Sequence, residues 1–139
     1  METQMADGPR RILVVDDDPL VRKCIAAVLE SWGYRAITAA HGSEALDVLS
    51  DQKVDGIVLD VHMPVMDGPT MLDELRWRRS RVPVVVMSGE ADHRFLRSLL
   101  QEGAQGFVIK PVALDDLRSI CRQIFGEPAP CRVVPSQVA

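Results

Sequence analysis

The sequence predicts an α/β fold in which helices cover both faces of an open, five-stranded parallel sheet. Five short apolar runs, most of them rich in valine and isoleucine, recur at regular intervals along the chain. They show little alternation of apolar and polar residues, which is typical of strands buried on both faces. Stretches with helical spacing separate the runs, and this alternation favours parallel strands joined by right-handed helical crossovers.

The apolar runs give the positions of the five predicted strands. They are Ile12–Val15, Ala36–Ala39, Val54–Leu59, Val82–Met87 and Phe107–Ile109. Because the segments between the strands carry apolar residues at helical spacing, we expect every connection between strands to contain a helix.

The predicted helices have recognisable beginnings and ends. Asp18-Pro19 opens the first helix, with aspartate as the N-cap and proline at the first helical position, and Gly33 ends it. The other helices are expected to begin near Ser43, near Asp67, near Ala91 and after Pro111, with Gly103 and Gly126 ending the last two.

Apolar residues at helical spacing indicate which helix faces are buried. The first helix carries Leu20, Val21, Cys24, Val28 and Leu29, and the fifth carries Leu114, Leu117, Ile120 and Ile124. Because Cys24 and Cys121 fall on apolar helix faces, we expect them to be small buried hydrophobes. The odd number of cysteines and the absence of C-x₂-C spacing argue against a disulfide framework or a zinc site.

Length and charge narrow the classes of function. The 139 residues suit a single domain, predicted over residues 10–126, with tails at 1–9 and 127–139, the latter flexible. A net charge of −4 disfavours direct binding of nucleic acid. No apolar run is long enough for a membrane span, and the first residues lack the hydrophobic region of a signal peptide. We therefore expect a cytoplasmic protein without a membrane partner.

Charged and polar residues follow four of the five predicted strands. They are Asp16-Asp17-Asp18, Asp60, Ser88-Gly89-Glu90 and Lys110-Pro111. The carboxyl ends of the strands form the ligand-binding edge of an open α/β sheet, so these groups should meet there. Clustered carboxylates repel one another, and a divalent cation relieves the repulsion; oxygen ligands favour Mg²⁺. A lysine and a hydroxyl nearby suit a phosphoryl group carried on a carboxylate.

Four motifs together resemble the receiver domain of bacterial two-component response regulators. They are ILVVDDDP, LDVHMPVMDG, VVVMSG and GFVIKP, which occur in the family's order over residues 11–125. The resemblance implies a doubly wound, flavodoxin-like sheet with strand order 2-1-3-4-5. The short stretch after residue 125 suggests a stand-alone receiver, although a piece of a longer protein, such as a hybrid kinase, stays open.

The resemblance implies that Asp60 accepts a phosphoryl group from a sensor histidine kinase or a histidine phosphotransfer protein. Mg²⁺ would be the cofactor, bound by Asp16, Asp17, Asp60 and the main-chain carbonyl of His62. Lys110 would pair with the phosphoryl oxygens. Such a chain is a signalling switch, with autophosphotransfer and autodephosphorylation as its only activities.

The same resemblance implies a switch that reaches a downstream effector protein. Ser88 would move to hydrogen-bond the phosphoryl group, and Phe107 would swing inward with it. Phe107 replaces a tyrosine often found there, so an output that needs a tyrosine hydroxyl is not expected. The peptide bond between Lys110 and Pro111 is typically cis in this family.

Two other functions remain compatible with parts of the sequence. A phosphatase of the haloacid-dehalogenase type would use Asp16 as its nucleophile and Asp18 as its acid, but Lys110 then stands in the wrong order. A pseudo-receiver would bind partners without taking phosphate, which the complete acid set and lysine disfavour.

The basic cluster at Arg76–Arg81 is expected to be a solvated face at a helix C-terminus.

Overall fold

The computed structural model describes residues 9–61, 68–78, 80–89 and 93–128. Strands and helices alternate along it as β1 (Arg11–Val15), α1 (Pro19–Ser31), β2 (Arg35–Ala39), α2 (Gly42–Asp51), β3 (Gly56–Asp60), α3 (Gly68–Trp77), β4 (Val84–Ser88), α4 (His93–Gln101), β5 (Gly106–Ile109) and α5 (Leu114–Phe125). The strands pair in parallel in the order β2-β1-β3-β4-β5, which confirms the predicted fold class and topology.

The sheet separates two apolar layers. Residues of β1, β3 and β4 alternate between them, so that Leu13 and Ile57 face one layer while Ile12 and Val58 face the other. The first layer contains buried residues of α2, α3 and α4, and the second contains those of α1 and α5. Because both faces are covered, every residue of β3 and β4 is buried, which explains their continuous apolar sequences.

The strand ends carry polar residues within the sheet itself. The predicted third and fourth strands stop at apolar residues, but the structure starts each two residues later and extends each by one, to Asp60 and Ser88. The parallel register continues to these ends, where Asp60 lies opposite Met87 and Ser88 lies opposite Ile109. The hydrogen-bonded sheet therefore fixes the main chain of both residues at the carboxyl edge.

The start of α1 agrees with the prediction, but part of its predicted buried face does not. The carboxylate of Asp18 accepts hydrogen bonds from the backbone N–H groups of Leu20 and Val21, at 2.9 and 3.4 Å. The helix buries Ile25 and Leu29, while Leu20 is 70% exposed and Cys24 is exposed. The expectation that Cys24 is buried is therefore wrong. Leu20 and Cys24 lie one turn apart on the row that faces away from the sheet.

The fifth helix shows a similar shift of its buried face. Leu117, Cys121 and Phe125 are buried, whereas Leu114, which was expected on that face, is 52% exposed. Cys121 is buried as predicted. The predicted starts of α3 near Asp67 and of α4 near Ala91 lie outside the described residues. No helix in the described part of the chain combines the length and the apolar character needed to cross a bilayer.

Candidate functional site

Four neighbouring strands bring their carboxyl ends together at one edge of the sheet. Asp16 directly follows β1, Asp60 ends β3, Ser88 ends β4 and Lys110 follows β5. The N–H of Lys110 donates to the carbonyl of Ser88 at 2.7 Å, which ties the last two strand ends to each other. The edge that the sequence predicted to carry the chemistry is thus assembled by parallel strand pairing.

Three carboxylates meet at this edge. Oxygen atoms of Asp16, Asp17 and Asp60, one from each side chain, all lie within 4.8 Å of one another. Asp16 is fully buried, Asp60 is 3% exposed, and Asp17 is exposed. Two of the possible metal ligands, Asp16 and Asp60, are therefore buried, and the third, Asp17, faces the solvent from which an ion would bind.

Asp16 is held at several of its polar atoms. Its N–H donates to the carbonyl of Ala39 at 3.2 Å, and its Oδ1 accepts from the N–H of Asp18 at 2.9 Å. Its Oδ2 is buried and accepts no hydrogen bond from the described residues. Burial raises the pKa of Asp16, the N–H of Asp18 opposes this, and the charges of Asp60 and Asp17 raise it further.

Lys110 is the cation that faces the carboxylates. Its Nζ lies 3.0 Å from Oδ1 of Asp60, to which it donates a hydrogen bond, and 3.6 Å from Oδ2 of Asp16. Burial alone would lower the pKa of Lys110, but the hydrogen bond and charge of Asp60, with the charge of Asp16, outweigh it and raise the pKa. The peptide bond from Lys110 to Pro111 is cis, as the resemblance implied.

The other two predicted switch residues lie on the neighbouring strands β4 and β5. Ser88 is fully buried at the end of β4. Phe107 lies opposite Val86 and is partly buried, packed against the layer that contains α2, α3 and α4. Because side chains alternate along a strand, Ser88 points to the same side of the sheet as Val86 and Phe107. His62, predicted to offer its carbonyl to the metal, lies outside the described residues.

One residue at this edge was not predicted from the sequence. Arg22 in α1 donates from Nη1 to the main-chain carbonyl of Asp16 at 2.8 Å. The available signal was spacing: a residue one turn after the N-cap, Asp18, lies beneath the loop that precedes the helix. Sequence alone does not tell whether such an arginine reaches back to the loop or extends into solvent.

Comparison with known proteins decides the family. The family model for the response regulator receiver domain matches residues 12–122. This chain belongs to that family. The receiver domain is 37% identical to the two-component response regulator ORR3 of Oryza sativa subsp. indica over 129 aligned residues. The alignment covers 90% of this chain and 98% of ORR3.

Receiver domains within larger proteins are equally similar to it. Sensor kinase CckA of Brucella abortus is 37% identical over 120 residues, which is 85% of this chain but only 13% of the kinase. Among solved structures, the receiver domain of sensor histidine kinase PA1611 from Pseudomonas aeruginosa PAO1 matches with a TM-score of 0.76 and 31% identity, over 85% of this chain and 98% of that one. That structure has a magnesium ion coordinated in its active site cleft.

The acidic edge of the receiver domain fits a magnesium ion. The donors are carboxylate oxygens, the class of ligand that Mg²⁺ prefers, and a buried oxygen of Asp16 accepts no hydrogen bond within the described part of the chain. The phosphatase alternative is not favoured. Its proposed acid, Asp18, already uses its carboxylate to cap α1, and the family model that matches residues 12–122 is that of the receiver domain.

Proposed function

We propose that the receiver domain accepts a phosphoryl group on Asp60 from the phosphohistidine of a sensor histidine kinase or a histidine phosphotransfer protein. The observation that carries the proposal is the position of Lys110 Nζ, 3.0 Å from Oδ1 of Asp60, within the cluster of three carboxylates. A carboxylate at this place has a cation on one side and a set of oxygen ligands on the other, as phosphoryl transfer requires.

Asp60 supplies the nucleophile. One of its carboxylate oxygens attacks the phosphorus of the phosphohistidine, and a P–O bond forms as the P–N bond breaks. The histidine ring leaves with the electron pair of that bond and takes up a proton. The product is an acyl phosphate on Asp60, which water can later hydrolyse.

The remaining residues of the edge bind and orient. Asp16, Asp17 and Asp60, with the carbonyl of His62, would hold Mg²⁺, which would neutralise negative charge near the transferring oxygens when bound. Lys110 would pair with a phosphoryl oxygen in place of its present contact with Oδ1 of Asp60. Positive charge would then lie on both sides of the phosphoryl group during its transfer.

The switch that follows would pass through the neighbouring strands β4 and β5. Ser88 would donate its hydroxyl hydrogen bond to the phosphoryl group, and Phe107, on the same side of the sheet, would move into the space that this opens. The altered surface would bind a downstream effector protein. The proposed compartment is the cytoplasm, where a free thiol such as Cys24 stays reduced.

Phosphoryl uptake from a small acyl phosphate donor tests this function. We expect the wild type to gain one phosphoryl group by intact mass in the presence of Mg²⁺, and to gain none when Mg²⁺ is chelated. Asp60→Asn should abolish the gain and leave the circular dichroism spectrum unchanged. Asp47→Asn, at an exposed position of α2, is the matched control and should behave as the wild type. Uptake that persists in Asp60→Asn would refute the assignment.

A further inference from the structure

Arg22 lies in α1, directly below the loop that carries Asp16 and Asp17. Its own N–H closes the first turn of the helix on the carbonyl of Asp18 at 2.9 Å. Its Nη1 reaches back six residues and donates to the carbonyl of Asp16 at 2.8 Å. Arg22 therefore holds the loop at both ends, by main chain at Asp18 and by side chain at Asp16.

The carbonyl that Arg22 binds is a group that needs a partner. Asp16 has no exposed surface, and its other hydrogen bonds with the described residues use its N–H and its Oδ1. A buried carbonyl that loses its donor must find water or another group, which requires the loop to move. Such movement would shift Oδ2 of Asp16, the buried oxygen to which none of the described residues donates a hydrogen bond, relative to Asp60.

Arg22 and Lys110 do different work at this edge. Lys110 contacts carboxylate oxygens of Asp60 and Asp16, so its ammonium group can exchange these partners for an oxygen of an incoming phosphoryl group. The contact of Arg22 is with a main-chain carbonyl, on the helix side of the loop. Its bond can therefore persist whether or not the carboxylates bind an ion, as a fixed support for the ligands.

We infer that Arg22 is a positioning residue that holds Asp16 and Asp17 in the arrangement that binds Mg²⁺. The inference rests on the Mg²⁺ site of the proposed function. Partners that orient metal ligands typically contribute tenfold or more to metal affinity. Arg22→Gln, which keeps a polar side chain but is too short to make the same bond, should therefore weaken Mg²⁺ binding about tenfold.

The direction of this change separates positioning from charge. Removal of a cation near three carboxylates would, by charge alone, make them attract Mg²⁺ more strongly. Positioning predicts the opposite sign. Lys23→Gln removes the same charge from the adjacent, exposed residue of α1 and is the matched control, which we expect to bind Mg²⁺ within about twofold of the wild type.

The measurement is Mg²⁺ titration of the full chain by calorimetry, together with hydrogen exchange of the Asp18 amide in metal-free protein. Arg22→Gln should bind Mg²⁺ more weakly and exchange the Asp18 amide faster, because that amide donates to Asp16. Arg22→Lys keeps the charge and a hydrogen-bond donor, so its Mg²⁺ affinity and its exchange rate should lie between those of the wild type and Arg22→Gln. It also provides the test if Arg22→Gln fails to fold.

These measurements distinguish failure of the role inferred for Arg22 from failure of the proposed Mg²⁺ site. Unchanged or tighter Mg²⁺ binding by Arg22→Gln, while the wild type binds Mg²⁺, would overturn the role of Arg22. Absence of Mg²⁺ binding by the wild type would instead overturn the metal site of the proposed function. In that event the Asp18 amide still decides whether Arg22 orders the loop, since its exchange is measured without metal.

Discussion

Asp16 is a carboxylate whose side chain has no exposed surface and, among the described residues, a hydrogen-bond donor to only one of its oxygens. Burial raises its pKa from the usual 3.8, and the charges of Asp60 and Asp17 act in the same direction. Folding therefore favours the neutral carboxyl. This contribution to stability is fully present below pH 3.8 and is lost as the pH rises through the raised pKa of the folded state.

Asp16→Asn should consequently stabilise the metal-free protein at neutral pH. The amide keeps an oxygen for the N–H of Asp18 and removes a negative charge that repels Asp60 and Asp17. This gain outweighs the loss of the 3.6 Å contact between Oδ2 and Lys110 Nζ, because Asp16 is fully buried. We expect a gain of about 1 kcal/mol in the free energy of unfolding at pH 7, which shrinks as the pH falls towards 3.8. Urea unfolding with and without a metal chelator measures it.

The same variant should lose its response to Mg²⁺. Wild-type stability should rise by about 1.4 kcal/mol when Mg²⁺ is present at ten times its dissociation constant. Asp16→Asn should show little of this rise. A variant that is less stable than the wild type at neutral pH without metal would mean that burial of Asp16 carries no such penalty.

The sequence predicted best the positions of residues at the carboxyl ends of strands. Asp16, Asp60, Ser88 and Lys110 could be placed at one edge because the ends of parallel strands must meet there. Arg22 could not be placed, since its role depends on the direction of a long side chain that has many rotamers. The two different environments of the oxygens of Asp16 likewise depend on details of the loop.

At the scale of elements, α5 packs directly onto glycines of the sheet. A methyl group added at Gly56 in β3 would lie 2.5 Å from Cε1 and 3.0 Å from Cγ of Phe125, a ring that is 4% exposed. Gly56→Ala should therefore destabilise the protein by about 2 kcal/mol, as overpacked cores do. Thermal unfolding of Gly89→Ala is the control, because no atom of the described residues lies within 4 Å of the added carbon there. Equal effects of the two changes would contradict this packing.

The outer strand β2 shows how a sheet edge is protected by its flanking helices. The N–H of Ala36 donates to Oε2 of Glu30, and the N–H of Ala40, just after the strand, donates to Oε1 of Glu44, both at 2.7 Å. Unpaired N–H groups on an outer strand are available to a second copy of the chain. The two glutamates occupy the donors at both ends of β2.

A chain with both glutamates changed to alanine should therefore self-associate as its concentration rises. The double change to glutamine is the matched control, since its amide oxygens can still accept these hydrogen bonds, and it should stay in the state of the wild type. Light scattering after size exclusion compares the three proteins. If the alanine variant stays folded and does not associate, protection by Glu30 and Glu44 is excluded.

Element boundaries and faces were harder to predict than element order. The order of strands and helices follows from alternation of apolar runs, and it is confirmed throughout the described residues. Apolar spacing did not decide which row of α1 faces the sheet, because both Leu20 with Cys24 and Ile25 with Leu29 fit a helical period. Only contact with β1 and β2 selects one of the two rows.

At the scale of the whole molecule, the two edges of the sheet differ in character. Helices run opposite to the strands that they follow, so their C-terminal ends lie away from the carboxylates. Trp32 caps the end of α1, beneath the guanidinium of Arg118, and Trp77, which is 83% exposed, ends α3. Both tryptophans are thus at the edge opposite to Asp60.

Mg²⁺ should therefore change tryptophan emission only slightly. We expect calorimetry to detect binding under conditions in which the emission maximum and intensity hardly move, whereas acrylamide quenches Trp77 strongly. Trp77→Phe leaves Trp32 as the remaining tryptophan and separates the two signals. Strong quenching by Mg²⁺ in either protein would indicate that a helix end lies near the acidic edge.

Location of the acyl phosphate tests most directly whether Asp60 is the phosphoacceptor. The protein is incubated with Mg²⁺ and a small phosphoryl donor, reduced with borohydride, digested and sequenced by mass spectrometry. We predict that borohydride reduces the acyl phosphate at Asp60 and at no other aspartate, and that Asp60→Asn removes this product while the fold persists. A reduced residue at Asp16 would contradict the assignment of Asp60, because Asp16 would then be the nucleophile, as in a phosphatase, and Asp60 would carry no phosphoryl group.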